Sequence, residues 1–152
     1  MTHAQHAAPS TAALAFAATR HCLTGCAIGE IVGTVLSGAL SLTTSTAIVL
    51  GIVLAFVFGY GLTFVPIVRT GMPLGRAVGI TLAADTISIV VMEAVDNLFV
   101  VLVPGAMNAG VIDPLFWGSL LVGLVIAFAV TFPVNRWLIA RGQGHALVHS
   151  AH

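Results

Sequence analysis

Four long apolar runs take up most of this 152-residue chain. Each has about 20 residues or more, enough to cross a hydrocarbon layer of about 30 Å. They run from His21 to about Leu42, from about Ala47 to Val68, from about Ala77 to Val103 and from Leu115 to Leu138. With 59% of residues hydrophobic and 7% charged, a chain of this length has no polar surface to enclose so much apolar matter in water. A water-soluble domain is excluded. The fold class expected is an all-α membrane protein, a four-transmembrane-helix bundle with the lipid bilayer as its surroundings.

All five basic residues are Arg and they balance five acids, so there is no basic stripe for nucleic acid and none is expected as a partner. Arg20 precedes the first run, Arg69 and Arg76 flank the connection between the second and third, and Arg136 and Arg141 close the fourth. Every Arg therefore falls on one side, and the positive-inside rule places both termini in the cytoplasm. Residues 1–19 have neither a positive start nor a long apolar stretch, so no cleavable signal peptide is expected. The Ala-rich stretch Thr11 to Thr19 reads as a candidate interfacial helix. The organisation expected is an N-terminal tail over 1–20, a four-span membrane domain over 21–140 and a His-containing cytoplasmic tail over 141–152. The location expected is a bacterial plasma (inner) membrane, multi-pass.

The first run carries the densest set of unusual residues. At about 100° per residue, Gly25, Gly29 and Gly33 form one ridge, continued by Ser37, and Cys22, Cys26 and Glu30 run beside it. Glycines at this spacing let another helix come close, which is how spans associate where lipid supplies no hydrophobic drive. That face is expected to point into protein. Two sulfurs on one side of a helix, near His21 and Glu30, offer soft-metal ligands for copper, zinc or nickel. A lasting disulfide is not expected, because residues four apart on a regular helix do not reach its geometry. The same cysteines would equally serve as small packing residues.

Four carboxylates lie inside the runs: Glu30 in the first, and Asp85, Glu93 and Asp96 in the third, with no base at comparable depth. An acid at the centre of a span costs about 2.5 to 3.5 kcal/mol on insertion scales, so these groups must face the bundle interior. Glu30 lies roughly 15 Å beyond Arg20 and Asp85 roughly 13 Å beyond Arg76, which puts both near midplane, where they could meet. Asp85, Met92 and Asp96 share one side of the third run, with Glu93 at its edge. Such acids either keep a proton or hold a cation in place of the missing counter-ion, which suits a cation or proton path through Asp85, Met92, Glu93 and Asp96. Alternatively they hydrogen-bond to Thr81, Thr86, Ser88 or Asn97 and lock the bundle. At the C-terminus His145, His149 and His152 are spaced to share a divalent ion if the tail coils, although a solvated tail explains them as well.

The stretch His21-Cys22-Leu23-Thr24-Gly25-Cys26-Ala27-Ile28-Gly29-Glu30 resembles a family of small bacterial membrane proteins known only as domain of unknown function 4396. The resemblance continues through Met92-Glu93-Ala94-Val95-Asp96-Asn97, Pro104-Gly105-Ala106-Met107, Asp113-Pro114-Leu115-Phe116-Trp117-Gly118 and Phe132-Pro133-Val134-Asn135-Arg136-Trp137-Leu138-Ile139. It implies a four-span bundle and assigns no activity, hence no catalytic residues.

Three readings follow. The first is a non-enzymatic protein that binds or moves a cation, a soft transition metal or protons. Here His21, Cys22, Cys26 and Glu30 capture a metal, Asp85, Met92, Glu93 and Asp96 pass it on, and the protein assembles as a homo-oligomer through glycine faces, with a metal-handling partner. The second is an intramembrane thiol oxidoreductase using Cys22 and Cys26, and the third a non-catalytic subunit of a membrane complex.

Overall fold

The computed structural model describes residues 10–69 and 71–141. Four helices, α1 (Thr11–Ala39), α2 (Thr44–Arg69), α3 (Leu74–Leu102) and α4 (Pro114–Ala140), are each long and apolar enough to cross a membrane. Successive helices run antiparallel, so the arginines gather at one end of the bundle and the connections after α1 and α3 lie at the other. Helix α1 packs on α2 and α4, α3 closes the ring between those two, and α1 and α3 meet across the diagonal.

Helix α1 starts ten residues before the apolar run that marks it in the sequence. Ser10 caps it by accepting from the Ala13 amide at 3.2 Å. The Ala-rich stretch 11–19, read as a candidate interfacial helix, runs into the span without a break. Its small side chains explain this, because Ala15, Ala18 and Thr19 are buried in the bundle while Phe16 meets Phe128 of α4 edge-on at 5.6 Å.

The tightest seam is that between α1 and α2. A Cβ added at Gly25 would stand 2.6 Å from the Cα of Gly59, one at Gly29 2.6 Å from the Cα of Ala55, and one at Gly33 3.0 Å from the Cα of Gly51. Only hydrogen fits there, so the glycine ridge sets how closely the two backbones approach. The ridge is covered by the chain's own α2, and homo-oligomerisation through this face loses its sequence argument.

Helix ends follow local chemistry. Asp113 caps α4 by accepting from the Leu115 amide at 2.8 Å, with Pro114 at the first helical position where a missing N–H costs nothing. Gly105, at φ +84°, turns the chain from α3 into a single 3-10 turn, Ala106–Asn108. Ser41, at φ +52°, does the same between α1 and α2 without being glycine. Pro66 and Pro133 lie inside their helices, so Pro133 does not end α4.

Candidate cation site

The diagonal contact between α1 and α3 lines up the unusual groups of both helices. The Cys22 thiol donates toward Asp85 Oδ1 at 3.9 Å. One turn on, Cys26 faces Glu93, and one turn further Glu30 faces Asp96. Asp85 is thus matched with a thiol, and Glu30 with Asp96. The midplane meeting of Glu30 and Asp85 expected from depth alone does not form, because depth along two separate helices does not fix which rows face each other.

Glu30, Glu93 and Asp96 lie on a cavity of about 350 Å³ at the bundle end away from the arginines. Its rim carries Ser41 and Asn108 from the two connections and Thr44 from the start of α2, and its walls include Ile48, Ile52, Val100, Phe116 and Leu120. Within it, Asn97 donates to the Glu93 backbone carbonyl at 2.9 Å and to Glu93 Oε2 at 3.3 Å. Glu93 Oε1 and Asp96 Oδ1 are buried and accept no hydrogen bond, and Ser37, on the cavity wall, has a buried hydroxyl in the same condition. Helix α4 makes room for Asp96: a Cβ at Gly123 would collide with Asp96 Oδ1. Glu30 and Asp96 stand side by side with Glu93 one turn away, and no basic residue is among the described residues lining the cavity; acids so placed repel one another when all are ionised.

Toward the arginine end the cavity stops at an apolar plug. Cys22, Cys26, Ala55, Ile89, Met92 and Ala127 form one cluster in which no member is more than 1% exposed. Beyond it lies a polar node tying three helices. The Ser88 hydroxyl donates to Asn135 Oδ1, Asn135 Nδ2 donates to Thr19 Oγ1 at 2.8 Å, and the Thr19 hydroxyl donates back to the Ala15 carbonyl at 2.8 Å. The chain of donors fixes the orientation of the Asn135 amide. A second cross-link joins α2 to α3 nearer the surface. Thr86 gives its proton to the Leu82 carbonyl at 2.6 Å, so Tyr60 is the donor to Thr86 at 2.9 Å.

The sequence candidates therefore divide. Glu30, Glu93 and Asp96 converge on the cavity, Asp85 lies against Cys22 of the plug, and Met92 is part of the plug too. Among the described residues no three His, Cys, Asp and Glu side chains are arranged to hold a metal ion, so His21, Cys22, Cys26 and Glu30 do not form one ligand set. Both cysteines are free thiols. His145, His149 and His152 lie outside the described residues. Sequence reasoning missed the Thr19–Ser88–Asn135 node and the part played by Gly123. The signal for Asn135 was present, as a lone amide within an apolar run.

Fold and cavity together define a class: a small bundle of four helices long and apolar enough to cross a membrane, with an acid-lined cavity at the end away from the arginines. Residues 12–144 match the family model described as domain of unknown function (DUF4396), and the chain belongs to that family. No curated protein and no solved structure matches it.

Proposed function

We propose that this protein binds a positive species at Glu30, Glu93 and Asp96 and passes it across the membrane, the proton being the species these groups handle with least rearrangement. The observation that carries the reading is the convergence of three carboxyl groups from two helices on one cavity whose walls hold no basic residue. In the arginine-side half, the thiol–carboxyl pair Cys22–Asp85 continues the same diagonal, Cys22 being itself part of the plug. Positive-inside orientation makes the cavity mouth extracytoplasmic and the arginine end cytoplasmic.

The test is proton flux into proteoliposomes holding a pH-sensitive dye, driven by an imposed gradient. Wild type should acidify the lumen well above protein-free vesicles, and Asp96→Asn should lower that rate at least tenfold. Gly123→Ala keeps every acid but displaces Asp96 Oδ1, and should lower the rate severalfold. Wild-type flux equal to that of empty vesicles would overturn the reading.

A second reading, the soft metal, is favoured by one observation: both thiols stand beside a carboxyl group, Cys22 by Asp85 and Cys26 by Glu93. On that reading His21, Cys22, Cys26 and Glu30 would have to move to share copper, zinc or nickel. The expected metal content of the purified protein is well below one equivalent. One full equivalent, lost in the Cys22→Ser/Cys26→Ser variant, would put the soft metal first.

A further inference from the structure

We propose that the cavity is a binding site for a small primary organic ammonium ion, its N–H donors on Glu93 and Asp96 and its carbon chain along the apolar wall; this rests on the reading of the acid floor as a cation site and names the class of cation.

Size and lining point the same way. A void of about 350 Å³ lies within the range of small-molecule pockets, at about 300–1,000 Å³, and is many times what a bare ion needs. The acids are not drawn together as ligands of one metal ion would be. An alkylammonium head, with three N–H donors directed apart, satisfies acceptors spread over a wider arc. Glu30, Glu93 and Asp96 all line the cavity, and Glu93 Oε1 and Asp96 Oδ1, themselves buried, lack a hydrogen bond on residues 5% and 2% exposed, so the acid floor holds more acceptors than the neighbouring donors fill.

A separate observation lies higher in the cavity. Ser37, 9% exposed, presents a hydroxyl without a hydrogen-bond partner two turns above Glu30 on the same side of α1. Two turns correspond to about 11 Å along the helix. A proton at the floor leaves Ser37 unused, and so does a metal ion. A ligand a few carbons long reaches from the acids toward it. The walls between are Ile48, Ile52, Val100, Phe116 and Leu120, surfaces that favour methylene groups over water, with an aromatic ring for the positive end to pass.

The experiment is titration calorimetry on the full chain in lipid nanodiscs with n-butylammonium chloride, against tetramethylammonium and sodium chlorides. The expected result is saturable one-to-one binding of n-butylammonium, with tetramethylammonium, which has no N–H donor, at least tenfold weaker and sodium without competing effect. Glu93→Gln should weaken n-butylammonium at least tenfold. 5-Aminopentan-1-ol hydrochloride, titrated likewise, carries a hydroxyl that can reach Ser37 and should bind more tightly than n-butylammonium; Ser37→Ala, which removes one hydroxyl and leaves the helix intact, should abolish that gain and leave n-butylammonium unchanged. Non-saturable heat, or binding equal for the quaternary ion and unmoved by Glu93→Gln, would overturn the proposal. Absence of n-butylammonium binding alongside acid-dependent proton flux would sink this inference and leave the proton reading standing. Saturable binding without flux would do the reverse.

Discussion

Gly29→Val should be the most damaging single substitution in the chain. A side chain at this position meets the α2 backbone at Ala55, where no rotamer change can relieve the contact and the two helices must separate along their whole seam. Overpacking a well-filled interior costs about 1–3 kcal/mol, and backbone-to-backbone contact lies at or beyond the top of that range. The measurement is thermal aggregation in mild detergent, followed by size-exclusion chromatography. A fall in midpoint of several degrees, or failure to accumulate as a monodisperse species, is expected. Gly79→Val is the control: a Cβ there meets nothing within 4 Å, and the residue is exposed on α3. Equal behaviour of the two variants would mean that the close α1–α2 seam does not hold the fold.

Asn135→Ala should have the second-largest effect, and of a different kind. The amide is the common partner of Ser88 and Thr19, so its removal leaves two buried groups on two other helices short of a bond. An unmet buried polar group costs about 1–3 kcal/mol, whereas side-chain hydrogen bonds measured between membrane helices average about 0.6 kcal/mol. A net loss of about 2 kcal/mol is expected. Because Thr19 of the node lies one turn from Cys22 toward the arginine end, the loss should also appear as access. Cys22, 1% exposed in the intact protein, should react with a small water-soluble maleimide much faster in the variant. Ser88→Ala should raise the same rate less, since it leaves the Asn135–Thr19 bond in place. A labelling rate unchanged in both would show that the node does not limit access to that thiol.

The sequence carried the spans because apolar length has almost no other explanation, and it carried the face of α1 because glycines four apart have one geometric consequence in a helix. Glu30, Glu93 and Asp96 could be named as interior for the same kind of reason: an acid in lipid is too costly to leave exposed. Which acid meets which was not legible. Glu30 faces Asp96 and Asp85 faces Cys22 because α1 and α3 touch across the diagonal, a contact set by the α1–α2 seam and the ring closure through α4. Neither is encoded in the spacing within one helix. Met92 shows the same point along a single helix. It shares a side with Asp85 and Asp96, yet its thioether lies in the plug with Ile89 and Ala127, since a helix face several turns long passes through more than one environment. Thr11 to Thr19 is helical and continuous with the first span, which its weak hydropathy did not reveal, because alanine gains its burial from neighbouring helices.

The apolar plug, sitting between an acid-lined well and a bonded far end, has an electrical consequence. On the proposed cation reading, a charge entering the well would cross only part of the transmembrane field before the plug, so a voltage step should drive a brief displacement that decays to nothing and returns with opposite sign when the step ends. Sustained current would demand that the Thr19–Ser88–Asn135 node let go on every cycle. The ratio of transient charge to steady current would therefore count how seldom that happens.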